Sequence, residues 1–167
     1  MPTQKTALAA FVLSALLLTP VITPVFGKTV TDQKSGVSVD LPDGDGWKLQ
    51  EGATPTATCE EGVSLLVIHF DKELPEAVMK RLAEAFEPVM KEAKARDEAE
   101  KINVHGLEGD KISGYGMRDE KAVKFTAVLI CKDKTNTLAI IAVGNETPFK
   151  RHMRNIDETL DSIRPKE

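Results

Sequence analysis

The sequence predicts an α+β fold: an antiparallel β-sheet of about six or seven strands, flanked by two amphipathic helices. Two observations point to this fold. Several short segments alternate apolar and polar residues, which is typical of strands, whereas two longer segments repeat apolar residues at three- and four-residue steps, which is typical of helices. The last three strand candidates are joined by short charged connections, which favours an antiparallel meander. With 41% hydrophobic and 29% charged residues, the 167-residue chain has the composition of a globular protein.

Residues 1–27 are predicted to be a secretory signal peptide and not part of this fold. Lys5 supplies a positive charge, Ala7–Leu18 is an uncharged apolar segment, and the residues up to Gly27 contain two prolines. Cleavage after Gly27 would leave small residues, Val25 and Gly27, at the −3 and −1 positions.

The alternative for this segment is an uncleaved anchor helix that reaches Phe26. Such a helix would have to contain Pro20 and Pro24, which disfavour a continuous helix, so cleavage is the favoured interpretation. We therefore expect residues 28–167 to form a single α+β domain that is periplasmic or secreted and has no membrane span after cleavage.

The first strands of the mature chain are predicted from alternation and turn residues. Val37–Leu41 alternates apolar and polar side chains, residues 42–46 are rich in Asp and Gly, and Trp47–Leu49 then begins a returning strand. Thr54–Cys59 is prone to form a strand, and Val63–Phe70 is apolar almost throughout, as expected of a central strand that is covered on both faces.

The first long helix is predicted from Pro75 to about Arg96. Its apolar stripe is Met79, Leu82, Phe86, Val89 or Met90, and Ala93. Pro88 lies inside this segment and lacks a backbone donor, so a kink near residues 85–88 is expected.

The second half of the chain is predicted as the meander followed by a second helix. The strand candidates are Ile102–Tyr115, broken near His105-Gly106, then Ala122–Cys131 and Thr137–Val143. The last helix is predicted to begin with Thr147 as N-cap and Pro148 at the first helical position, and to end before Arg164-Pro165.

Cys59 and Cys131 are the only cysteines, and export would place them in a compartment that permits disulfides. Each ends a strand candidate and precedes a turn, so a bridge between them is one interpretation. Two separate thiols are the other, because the sequence does not fix the Cα separation that a bridge requires.

No motif identifies a catalytic, cofactor or metal site. The three histidines lie at no metal-ligand spacing, and the cysteines form no Cys-x-x-Cys pair. Asp43-Gly44-Asp45-Gly46 resembles the start of a calcium loop, but the later ligand positions are wrong, so a plain turn is favoured. Ser113 lacks the flanking glycines of a nucleophile elbow.

Trp47 is the single tryptophan and has two interpretations. It could be an aromatic side chain that faces a ligand, or it could close one end of the sheet against the core; the second is favoured. The formal charge of −4 becomes −5 without Lys5, which argues against a nucleic-acid-binding surface.

Three segments resemble the PsbP-like superfamily, which includes DcrB-like periplasmic proteins. They are Val37–Pro42 followed by Gly46-Trp47, Ile102–Gly109, and Phe149–Arg164. The resemblance extends over nearly all of residues 35–165 and implies an antiparallel sheet sandwiched by helices. His105 departs from the pattern, which favours Asn or Asp before the glycine. The resemblance implies accessory or scaffold-binding roles and transfers no catalytic residue.

These observations favour a non-catalytic exported accessory protein that binds another envelope protein. One alternative is a small-ligand carrier with a pocket between the sheet and the helix kinked at Pro88. Another is a hydrolase without a recognisable motif, which would use paired carboxylates in a cleft.

Overall fold

A computed structural model describes residues 27–167, which form an α+β structure with two antiparallel sheets. The prediction of residues 1–26 as the body of a signal peptide lies outside the described residues. The strands are β1 Lys28–Asp32, β2 Val37–Leu41, β3 Trp47–Gln50, β4 Thr56–Cys59, β5 Ser64–Phe70, β6 Lys91–Ala95, β7 Glu100–Val104, β8 Leu107–Arg118, β9 Lys121–Ile130, β10 Thr137–Gly144 and β11 Arg164–Pro165. The helices are α1 Pro75–Lys80, α2 Leu82–Ala85, α3 Glu146–Arg151 and α4 Met153–Asp161.

The large sheet has eight strands, in the order β3-β4-β5-β10-β9-β8-β6, with β7 also paired to β8. Both β6 and β7 pair with the same edge of β8, β6 beside residues 114–117 and β7 beside residues 107–111. The small sheet has the order β1-β2-β11. The prediction of an antiparallel α+β fold is confirmed, and the large sheet has eight strands where about six or seven were predicted.

Apolar side chains are buried on both faces of the large sheet. On one face, side chains from β5, β9 and β10 pack against β2, α3 and α4. On the opposite face, side chains from β8, β9 and β10 pack against α1, α2 and residues 86–93. β5 lies between β4 and β10, so the prediction of a central strand at 63–70 is confirmed.

The meander is also confirmed, since β7, β8, β9 and β10 are consecutive antiparallel neighbours. The expected break at His105-Gly106 is the turn between β7 and β8, where both residues have positive φ angles, 48° and 82°. Glycine adopts this conformation freely.

The predicted helix Pro75–Arg96 is wrong in its second half. The helical segment ends at Ala85, and Lys91–Ala95 is a strand at the edge of β8. Pro88 has no N–H to continue the helix. In the strand Ala93 is buried while its neighbours are exposed, so the same apolar residue fits the pattern of a strand as well as that of a helix.

The predicted boundaries of the last helix also need correction. Thr147 lies inside α3, whose N-cap is Asn145, and the helix is interrupted at His152 before α4. The expected pairing of Val37–Leu41 with the strand that begins at Trp47 is wrong as well, since β2 and β3 belong to different sheets.

The helices pack closely on the sheet near Pro88, where the alternative of a ligand carrier expects a pocket. Val78 and Phe86 are fully buried, and the Phe86 ring packs edge-on against Phe125 of β9, with ring centroids 5.5 Å apart. A cavity of about 610 Å³ lies beside Pro88, but it opens between residues 87–92 and the β8–β9 turn, and charged residues line much of it.

None of the helices within residues 27–167 is long and apolar enough to cross a membrane.

Candidate functional site

The main candidate site is a groove of about 300 Å³ on the face of β8 and β9 that also carries α3 and α4. We call it the Tyr115 groove. Strand positions alternate between faces, so Lys111, Ser113 and Tyr115 of β8 point to this face. They lie opposite Val128, Thr126 and Lys124 of β9 in the strand register.

The floor of the groove is polar between Lys111 and Tyr115. The hydroxyls of Ser113 and Thr126 are hydrogen-bonded to each other at 3.0 Å. From Lys111 to Tyr115 the strand advances four residues, or about 13 Å. The groove therefore has the length of a short extended peptide segment.

Exposed apolar side chains are concentrated at this groove. Within residues 27–167, the large hydrophobic side chains that are exposed are Leu74, Tyr115 and Met153, at 47%, 43% and 38%. Tyr115 and Met153 both line the groove, and Phe149 and Ile156 form its buried apolar wall. Neighbouring exposed apolar groups of this kind are more informative than scattered ones, because they mark binding surfaces.

The lining of the groove is more basic than the chain as a whole. It contains four cationic side chains, Arg96, Lys111, Lys124 and Lys150, and one carboxylate, that of Asp157. The complete chain, by contrast, has a formal charge of −4.

Two of these cations share a carboxylate outside the lining. Glu146 Oε1 accepts hydrogen bonds from Lys124 Nζ at 2.7 Å and Lys150 Nζ at 2.9 Å. Hydrogen bonds from Lys124 and Lys150, with their charges, lower the pKa of Glu146 to about 2. Lys124 Nζ also lies 5.7 Å from the centre of the Tyr115 ring, within the range of a cation–π interaction.

Arg96 and Lys111 differ in their partners. A hydrogen bond to the Asp97 carboxylate raises the pKa of Arg96, and a smaller contribution comes from a hydrogen bond to the Tyr115 hydroxyl. Lys111 forms no ion pair within 4 Å in the part of the chain that the structure describes, and its register partner on β7 is the exposed Glu100. One end of the groove thus carries a lysine that forms no close ion pair, and the other end carries two lysines that share one carboxylate.

The groove was not predicted from the sequence. The alternation of β8 places Lys111, Ser113 and Tyr115 together, so a single aromatic residue among polar, outward-facing positions was the available signal. Met153, Lys150 and Lys124 come from other elements, and only the tertiary structure brings them to the groove.

The two cysteines are both free in the structure. Cys59 follows Thr58, which pairs with the start of β5, whereas Cys131 follows Ile130, which pairs with Leu138 at the other end of the sheet. The length of β5 from Ser64 to His69, about 17 Å, separates these two ends, far more than the Cα distance of a disulfide. The structure therefore does not support a bridge.

Trp47 lies in the core. Its side chain is 4% exposed and belongs to the apolar cluster beneath α3 and α4, and its ring meets the His152 ring edge-on, with centroids 5.4 Å apart. This is the position that the structural interpretation of Trp47 predicts.

The histidines connect layers of the fold. His69 Nδ1 lies 3.0 Å from Asp32 Oδ2 and joins β5 to β1. His105 Nδ1 lies 2.9 Å from the carbonyl oxygen of Ile163. His152 Nε2 lies 3.0 Å from Glu61 Oε2. In the part of the chain that the structure describes, no group of three or more His, Cys, Asp or Glu side chains is arranged to hold a metal ion.

Solved structures resemble this fold over most of its length. PsbP from the cyanobacterium Synechocystis sp. PCC 6803 (CyanoP) matches with a TM-score of 0.59 and 13% identity, over 87% of this chain and 95% of that protein. The chain has a PsbP-like fold. LpqN, a protein involved in cell envelope biogenesis of Mycobacterium tuberculosis, has a similar structure, with a TM-score of 0.54, 14% identity and coverage of 82% and 88%.

The Ran-binding protein Mog1p of Saccharomyces cerevisiae shares the same PsbP-like fold. The match has a TM-score of 0.52 and 12% identity, and covers 86% of this chain and 97% of Mog1p. No protein-family model and no curated protein sequence matches the chain. At these identities the similarity establishes the PsbP-like fold, and the site must be argued from the residues of this chain.

Proposed function

We propose that this PsbP-like protein is an exported, non-catalytic accessory protein that binds another envelope protein through the Tyr115 groove. The observation that carries the proposal is the position of Tyr115 and Met153. Two exposed apolar side chains line one groove, next to a buried apolar wall and a set of cations. Aromatic and methionine side chains are enriched at protein interfaces, and an exposed tyrosine can anchor a partner at small entropic cost.

The solved structures with the same fold support a binding role. One is a Ran-binding protein, and another is involved in cell envelope biogenesis. The functions of those proteins do not transfer at such low identity, but they are consistent with a fold that presents a binding surface.

The experiment places a photo-crosslinking amino acid at position 115 of the full-length chain, expressed in its own host. Position 74 is the matched control, because Leu74 is equally exposed and lies outside the groove. We expect a discrete protein adduct from position 115 that is absent from position 74 and is suppressed by Met153→Asp. Identical adducts from both positions, or none from position 115, would refute the proposal.

The proposed export is tested separately. We propose that residues 1–27 are removed as a signal peptide, so that the mature chain begins at Lys28. Lys28 is the first residue of β1 and pairs with Leu41, so cleavage after Gly27 would leave every strand of the fold intact. N-terminal sequencing of protein from the envelope fraction should begin at Lys28, and a chain that retains residues 1–27 would contradict cleavage.

A further inference from the structure

We infer that the Tyr115 groove recognises an extended, acidic segment of a partner protein, with two carboxylates four residues apart and an apolar side chain midway between them. This inference rests on the proposed protein-binding function and adds the chemistry of the partner.

The charges at the two ends of the groove select for carboxylates. Lys111, at one end, forms no ion pair within 4 Å among the described residues, although the exposed Glu100 of β7 is its register partner. At the other end, Lys124 and Lys150 share the single carboxylate of Glu146. A further carboxylate at either end would find an ammonium group with unused donors, since each lysine carries three.

The spacing between these ends selects for an extended segment. Lys111 and Tyr115 are four residues apart on β8, about 13 Å, and Tyr115 pairs directly with Lys124. In an extended peptide, residues i, i+2 and i+4 point to the same side and span the same 13 Å. Carboxylates at i and i+4 therefore match the two cationic ends.

The exposed apolar groups of the groove favour an apolar side chain at the central position, i+2, of the partner segment. Tyr115 and Met153 are both exposed at the groove, and Phe149 and Ile156 are buried behind it. A Leu or Phe side chain at i+2 would cover these groups and remove apolar surface from water. Complementary charge at the ends would fix the register of the segment more than it would add affinity.

The carboxylate of Glu146 competes with a carboxylate of the partner for Lys124 and Lys150. Its carboxylate occupies the Lys124–Lys150 pair in the free protein and is itself exposed at 57% of its side-chain area. Removal of this carboxylate in Glu146→Gln would free both ammonium groups. We therefore expect Glu146→Gln to bind an acidic segment more tightly than the wild type does.

The test uses the mature chain, residues 28–167, and three labelled peptides in a fluorescence-anisotropy titration at low salt. The probe is Gly-Glu-Ser-Leu-Ser-Glu-Gly. The first control, Gly-Glu-Glu-Leu-Ser-Ser-Gly, has the same composition with the carboxylates adjacent. The second, Gly-Lys-Ser-Leu-Ser-Lys-Gly, reverses the charge. Vesicles of phosphatidylglycerol and of phosphatidylcholine form a further arm.

The expected result is that the probe binds at least about fivefold more tightly than either control peptide, which corresponds to roughly 1 kcal/mol. Lys111→Glu should weaken binding of the probe peptide by about fivefold, and Glu146→Gln should strengthen its binding. Lys48→Glu, an exposed lysine on the distant strand β3, should have no effect. Lys111→Gln provides a second variant if Lys111→Glu fails to fold.

Equal affinity for the three peptides, or no binding of any, would overturn the inference, as would Tyr115-dependent binding to anionic vesicles. If position 115 still crosslinks to a partner protein under those circumstances, the proposed function stands and only the chemistry assigned to the partner is wrong. If crosslinking also fails, both are wrong.

Discussion

The ammonium nitrogen of Lys124 lies 5.7 Å from the centre of the Tyr115 ring, and the two residues are direct partners across β9 and β8. Glu146 holds the same ammonium group from α3 at 2.7 Å. Side chains from three elements therefore position one another at one end of the groove. This end is organised before any partner binds, which reduces the entropy lost on binding.

Tyr115→Ala should reduce partner binding without unfolding the protein. Tyr115 is 43% exposed, so its removal should change the free energy of unfolding by less than about 1 kcal/mol. The matched control is Phe125→Ala on the next strand. Phe125 is 1% exposed on the opposite face of the sheet, so this change should cost about 3–5 kcal/mol. Urea unfolding measures both, and a large loss of stability in Tyr115→Ala would mean that the residue belongs to the core.

The Arg164–Asp40 pair should contribute measurably to stability. Arg164 donates to both Asp40 oxygens, at 2.9 and 3.0 Å, and joins β11 to β2. Arg164→Ala leaves a partly buried carboxylate without this partner and should lower the free energy of unfolding by about 2 kcal/mol. Arg154→Ala is the control, because its pair with Glu158 is exposed and should contribute less than about 0.5 kcal/mol. Equal effects of the two variants would contradict this assignment.

The same pair predicts a pH dependence. Burial raises the pKa of Asp40, but hydrogen bonds from Arg164 and Thr29 and the Arg164 charge outweigh burial and lower it. Because the folded-state pKa lies below the unfolded value, this contribution is present above the unfolded pKa of about 3.8 and is lost as the pH falls below it. The stability difference between wild type and Arg164→Ala should therefore be full at pH 6 and shrink below pH 4. A constant difference across that range would contradict the ion pair.

Glu146 should titrate well below an ordinary glutamate. Its pKa of about 2, set by hydrogen bonds from Lys124 and Lys150, is measurable by NMR detection of the side-chain carboxyl carbon. Lys124→Gln should move the midpoint upward toward 4.5, the ordinary value. A midpoint near 4.5 in the wild type would show that the two lysines do not share this carboxylate in solution.

The cysteines should react as two thiols without prior reduction. Cys59 is buried, and Cys131 is partly exposed with a pKa raised by burial. Iodoacetamide should therefore modify Cys131 slowly in the folded protein, faster as the pH rises, and should modify both cysteines in denaturant. A mass that changes only after reduction would indicate a disulfide.

The fold was largely predictable because its signals are local. β2 and the meander from β7 to β10 follow from alternation and turn residues, and β5 follows from its nearly continuous apolar run. The segment 75–96 was harder, because Ala93 satisfies both helical and strand spacing. Only the pairing of the next two residues, Lys94 and Ala95, with β8 decides between them. Likewise, the separation of β2 and β3 into two sheets depends on distant partners.

The candidate site was less predictable for the same reason. Lys111, Ser113 and Tyr115 share a strand face that the sequence places together, but Lys150 and Met153 arrive from 35 or more residues away through the packing of α3 and α4. No motif encodes that contact. Cys59 and Cys131 show the opposite outcome. Each ends a strand candidate before a turn, which suggested that they could meet, but they lie at opposite ends of the sheet.

The proposed function requires that a partner protein binds at the Tyr115 groove. The partner is first identified by crosslinking through position 115. Isothermal titration calorimetry then measures most directly how tightly it binds the wild type, Tyr115→Ala and Leu74→Ala. We predict that Tyr115→Ala weakens binding by about fivefold or more, whereas Leu74→Ala binds like the wild type. Unchanged affinity in Tyr115→Ala, or an equal loss in both variants, would contradict the claim.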